Sequence, residues 1–80
     1  MLSTLRERVT ELESMQQRAD RLRMKTGTTQ ISRETFLRTN VMAGREVTLE
    51  QDTIEIDVEE FAELLQSAVT RSCEMMLGSD

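Results

Sequence analysis

The chain has 80 residues, 38% of them apolar, with 10 Lys plus Arg against 15 Asp plus Glu for a net charge of −5. It has no His, Pro, Trp or Tyr, one Cys and two Phe. Eighty residues are expected to form one domain at most, and the composition excludes a histidine-based catalytic set, the common zinc sites and an intrachain disulfide.

A domain of this size buries only about 60% of the surface its unfolded chain exposes, so it depends on good helix packing or on a partner subunit. No apolar run approaches the roughly 20 residues of a membrane helix. The N-terminal run Met1-Leu2-Ser3-Thr4-Leu5-Arg6-Glu7-Arg8 carries charges where a secretion signal has its apolar centre. With a lone Cys, the composition predicts a soluble cytoplasmic protein that does not engage membranes.

The charge is unevenly spread. Residues 1–40 hold eight basic and five acidic side chains, a net of +3, and residues 41–80 hold two and ten, a net of −8. The stretch 46–63 has eight acids and no Lys or Arg. Such asymmetry between halves points to a surface with two distinct ends.

In chain order, residues 2–25 read as a helix. Leu2, Leu5, Val9, Leu12, Met15, Ala19 and Leu22 recur at spacings of three and four, one face of a helix. Ser3 or Thr4 is placed to cap the start. Arg21, Arg23 and Lys25 gather at the end, where they complement the helix dipole, and Gly27 is the expected C-cap. Residues 26–30 read as a turn.

Residues 31–43 fit either helix or strand. As a helix, Ser32 caps it, Glu34 lies in the first turn and Gly44 ends it. As a strand, Thr35, Phe36, Leu37, Thr39 and Val41 favour extended backbone. The helix is the favoured reading.

Residues 46–58 read as a β-hairpin. Val47 and Leu49 alternate with Glu46, Thr48 and Glu50, and Ile54, Ile56 and Val58 alternate with Thr53, Glu55 and Asp57. Gln51-Asp52 is the expected turn, although it lacks the glycine that tight hairpins prefer.

Residues 58–77 read as a second long helix. Asp57 followed three residues later by Glu60 has the form of a capping box. Phe61, Leu64, Leu65, Ala68, Val69, Ser72, Met75 and Met76 trace a broad apolar face, and Gly78 is the expected stop. The whole chain, 1–80, is therefore expected to be one α+β domain. Its two long helices pack antiparallel, with the hairpin between them in sequence. No internal repeat or low-complexity segment stands out.

No catalytic constellation emerges. Cys73 lies near a helix C-terminus, the wrong end of the dipole for an activated thiolate. The glycines are isolated, so no loop cradles phosphate. No cofactor and no metal site is expected, because the acidic strand lacks the glycine and dense acidic spacing of a Ca²⁺ loop.

Three surfaces remain as candidate partner sites. The acidic surface comprises Glu55, Asp57, Glu59, Glu60 and Glu63. It could mimic a phosphate backbone, or simply solvate a strand and guard its edge. The apolar helix face comprises Leu65, Val69, Met75 and Met76. It could be a partner groove, since methionine suits adaptable surfaces, or it could fill the core. The basic cluster comprises Arg18, Arg21, Arg23 and Lys25. It could touch phosphate, or simply complement a helix end; an acidic chain with only two aromatics argues against nucleic acid as the ligand.

The expected function is a non-enzymatic protein–protein interaction module, a small adaptor, chaperone or inhibitor of phage or bacterial origin. The expected partner is another protein, in a homo-oligomer such as a dimer or in a hetero-complex. Two alternatives are an acidic decoy that blocks a nucleic-acid-binding protein, and a small nucleic-acid-binding regulatory dimer.

Overall fold

The periodicity of the first helix meets its partner at the other end of the chain. In the computed structural model, which describes residues 2–77 with side chains from 6 to 76, α1 runs Leu2–Leu22 and α3 runs Val58–Leu77. Between them come β1 (Thr28–Ser32), α2 (Arg33–Met42) and β2 (Thr53–Asp57). The architecture is α+β, with α1 packed on α3. Gln16 of α1 and Arg23 just past its end both reach Gln66, while Arg8 and Leu12 lie beside Ser72 and Met75, so the two helices run antiparallel.

Leu12, Ala19 and Leu22 of the α1 stripe are buried, whereas Val9 is largely exposed. The opposing face of α3 supplies Phe61, Ala62, Leu64, Leu65, Ala68 and Val69, all buried. The helix α1 ends three residues earlier than the periodicity predicts. Met24 and Lys25 close it with i→i+3 bonds to Arg21 and Leu22, the tightened last turn common at helix ends. Gly27 is not its cap. It turns the chain into β1 at φ +97°, a region open to glycine at little cost. Ser3 and Thr4 fall within α1, but their side chains, like Gly78, lie outside the described residues.

The segment 31–43 divides at Ser32. Ser32 ends β1 and caps α2, its hydroxyl accepting from the Thr35 N–H at 3.2 Å. The helical reading with Ser32 as cap therefore holds from Arg33 onward, and Ile31 belongs to the strand before it.

The antiparallel strand pair is present, but its first strand is not 46–50. β2 pairs with β1, the segment expected to be a turn, and residues 45–52 form an irregular connection. Charge disfavours the alternative. A hairpin closed at Gln51-Asp52 would set Glu46 opposite Asp57, and like charges across a ladder are destabilising. The observed register sets Thr28 against Asp57, Gln30 against Glu55 and Ser32 against Thr53 on the outer face. Gln30 there donates to the Thr53 hydroxyl at 2.9 Å. The inner face pairs Ile31 with Ile54 and Thr29 with Ile56. The Asp52 carbonyl accepts the Arg33 N–H at 2.8 Å, which ties the start of β2 to the β1–α2 junction rather than to residues 46–50.

The two strand–helix junctions resemble one another. Thr28, Ile31, Glu34 and Phe36 recur as Thr53, Ile56, Glu59 and Phe61, an offset of 25, and the caps Ser32 and Asp57 correspond. The same offset relates Arg33 N–H to Asp52 C=O (2.8 Å) with Val58 N–H to Gly27 C=O (3.0 Å). It also exchanges the pair Thr28–Asp57 with Ser32–Thr53, and Thr29–Ile56 with Ile31–Ile54. A local two-fold axis thus passes between Gln30 and Glu55. That two-fold is the symmetry of any antiparallel ladder; what this chain adds is that each strand runs directly into a helix through its capping residue.

Replacing Ile31, 4% exposed, with Ala is expected to cost about 2–5 kcal/mol. Val47→Ala, on the unpaired connection, should change stability by about 0.5 kcal/mol or less. Equilibrium urea unfolding of both variants checks this. Equal losses would place 46–50 in the core instead.

Candidate functional site

Helices α1 and α2 both lie against α3 rather than against one another. The space between them is a groove, formed of two adjoining depressions of about 550 and 630 Å³ that share Glu11, Arg38 and Met42. An ion pair between Glu11 and Arg38 bridges the two walls where the depressions meet. Met15 and Leu12 come from α1, Met42 from α2, and Leu65, Ser72, Met75 and Met76 from α3. Arg6, Arg8 and Arg18 stand along the α1 wall with Glu7.

Local chemistry fixes the α2 wall. Thr39 and Asn40 are buried polar residues at the positions that correspond to Leu64 and Leu65 in α3. Each satisfies itself on the preceding turn: Thr39 Oγ1 donates to Thr35 C=O at 2.6 Å, and Asn40 Nδ2 to Phe36 C=O at 2.7 Å. Such back-bonding weakens a helix. The helix α2 stops at Met42, and Gly44 follows at φ +80°. The Arg71 side chain of α3 lies across Gly44, where an added Cβ would sit 2.7 Å from Nε. The Asn40 carbonyl also receives the Arg45 N–H at 2.8 Å.

The other wall is tied to α3 through Gln66. Its Oε1 accepts from Gln16 at 2.7 Å and from Arg23 at 3.2 Å, and its amide nitrogen donates to Thr70 at 3.4 Å. Arg23 also pairs with Asp20 at 2.9 Å. The Arg18 guanidinium lies 5.1 Å from the centre of the Phe61 ring, and Phe61 itself is fully buried.

The residues singled out in the sequence are scattered by this arrangement. Glu55, Asp57, Glu59, Glu60 and Glu63 are all exposed. Glu55 and Asp57 lie on the outer face of β2, and the Asp57 carboxylate accepts from the Glu59 N–H at 3.3 Å to cap α3. Of the apolar face, Leu65 and Val69 are buried in the core, Met75 is exposed and Met76 half-buried. Of the basic cluster, Arg18 and Arg23 are engaged as described, while Arg21 and Lys25 are exposed at the end of α1. Cys73 is an exposed free thiol. Among the described residues, no group of three or more His, Cys, Asp or Glu is placed to hold a metal ion. No helix among them is long and apolar enough to cross a membrane.

Sequence reasoning missed the groove residues Met15, Met42, Arg6, Arg8 and Arg38 as one group. Their only sequence signal is methionine in each of three helices, which does not say that the three meet. No family model, curated protein or solved structure matches the chain.

Gly44→Ala is expected to cost about 1–2 kcal/mol for its left-handed backbone, plus the displacement of Arg71. Gly27→Ala should cost less, since nothing lies within 4 Å of a Cβ built there. Thermal or urea unfolding of the two variants gives the comparison, and equal losses would remove the Arg71 contribution.

Proposed function

We propose that the protein is a non-enzymatic protein-interaction module that holds its partner in the groove between α1 and α2. The observation that carries this reading is the groove's composition. Methionines from three helices line its two adjoining depressions, Met42, Met75 and Met76 in one and Met15 and Met42 in the other, in a chain too small to leave apolar surface uncovered without consequence. Methionine fills irregular gaps and adapts to varied apolar partners, so such a lining suits recognition better than tight internal packing. The absence of His, the exposed Cys73 and the isolated glycines offer nothing to support bond-making chemistry in the same place.

The exposed acidic row from Glu55 to Glu63 supports a second reading, an acidic decoy for a nucleic-acid-binding protein. None of these residues forms an ion pair among the described residues, so their charge faces solvent uncompensated. Carboxylates in a row compete with phosphate for a basic cleft by simple charge complementarity.

Affinity capture from the native source separates the two. Wild type and Met24→Lys, a 90% exposed position away from the groove, are expected to retain the same partner. Met42→Lys should lose it while keeping its helical circular dichroism. Retention by folded Met42→Lys, with loss in a Glu55→Lys/Glu59→Lys/Glu63→Lys variant, would move the function to the acidic face.

A further inference from the structure

We propose that the groove's occupant is an acidic amphipathic helix, a partner segment with aliphatic residues on one face and carboxylates along its flanks. This deepens the groove reading above and rests on it. The shape comes first. Two helices form the walls and a third the floor, the geometry into which a single helix lays its apolar face, here by lying over or opening the Glu11–Arg38 pair that crosses between the two depressions. Met15, Met42, Leu65 and Met75 line that space with apolar atoms.

Charge then selects among helices. The lining carries four arginines, Arg6, Arg8, Arg18 and Arg38, against two carboxylates, Glu7 and Glu11, a local excess of +2 in a chain of −5. Glu11 and Arg38 neutralise one another across the groove. Arg6, Arg8 and Arg18 form no ion pair among the described residues; Arg18 lies over the Phe61 ring and Glu11 is committed to Arg38, which leaves Arg6 and Arg8 on the α1 wall with Glu7 as the unpaired carboxylate beside them. A helix with basic flanks would meet like charge there, and one with acidic flanks would find its counter-charge.

A second copy of this chain does not fit the same description. The acidic start of its α3, Glu59, Glu60 and Glu63, flanks Val58, Phe61, Ala62 and Leu65, which are all buried within the subunit. Its exposed helical apolar residues Val9, Val41 and Met75 stand singly, with Arg6, Arg38 and Arg71 one turn before them, so none makes an aliphatic stripe flanked by carboxylates.

The test is a titration of ¹⁵N-labelled protein with three synthetic helices of one length. One has a leucine face and glutamate flanks, the second keeps the leucines with lysine flanks, and the third keeps the glutamates with serine in place of leucine. The first is expected to bind, shifting amides around Met15 and Met42, and to weaken as salt is raised. Reversing Arg6 and Arg8 to Glu should lower its affinity roughly tenfold, while Arg21→Glu/Lys25→Glu, outside the groove, should leave it near wild type. Equal or tighter binding of the lysine helix, binding of the serine helix, or shifts confined to another surface would overturn the proposal. So would sedimentation showing a dimer that buries the methionines, which would give the groove to a second copy. If Met42→Lys abolishes capture of a native partner but the glutamate helix does not bind, the occupant alone is wrong. If neither effect appears, the groove reading falls with it.

Discussion

The five-residue ladder between β1 and β2 is the constraint from which the rest of the fold follows. Two strands alone are marginal in water. Here each strand runs without a loop into a helix, through Ser32 in one case and Asp57 in the other. The backbone bonds from Arg33 to Asp52 and from Val58 to Gly27 lock both junctions to the opposite strand. The ladder therefore sets the start and direction of α2 and α3 together. Their inner faces converge on Ile31, Ile54 and Ile56, and the core grows from that point.

The local two-fold ends where α1 begins. Helix α1 covers α3, so Phe61 is wholly buried, whereas its counterpart Phe36 is only half-buried. The two helices also differ internally. Leu64 and Leu65 in α3 are replaced by Thr39 and Asn40 in α2, which spend their hydrogen bonds on their own helix. An apolar pair extends α3 along α1; a self-satisfied polar pair leaves α2 short, with no reason to close against α1. The groove is the consequence. It exists because α1 covers α3 alongside α2 rather than packing over α2 as well.

Long-period features were legible in the chain and short-period ones less so. Over twenty residues, the spacing of Leu12, Ala19 and Leu22, or of Phe61, Leu64, Leu65 and Ala68, admits one reading only. Ser32 was legible because a cap is chemistry carried by one residue. The strand pair was harder. Val47 and Leu49 alternate well, but alternation over five residues describes many segments that are never paired. Thr28 to Ser32 contains one aliphatic residue, so its signal lay in β-branching and in neutral partners for Glu55 and Asp57, which only the register discloses. The groove was least legible, because Met15, Met42 and Met75 are far apart in sequence and acquire meaning only when three helices meet.

The segregation of charge follows from the same geometry. The acids of β2 and the start of α3 occupy positions that must face outward once Ile54, Ile56, Val58 and Phe61 face in. The acidic row is thus partly a by-product of strand and helix periodicity, and Asp57 has a structural task as a cap. No such requirement places Arg6 and Arg8 on the α1 wall, where solvent-exposed neutral or acidic residues would serve the fold equally well and would match the sign of most of the surface. A basic wall beside an apolar floor, in a chain of net charge −5, is the charge pattern on which the proposed acidic occupant rests. The groove is therefore the surface whose composition folding explains least.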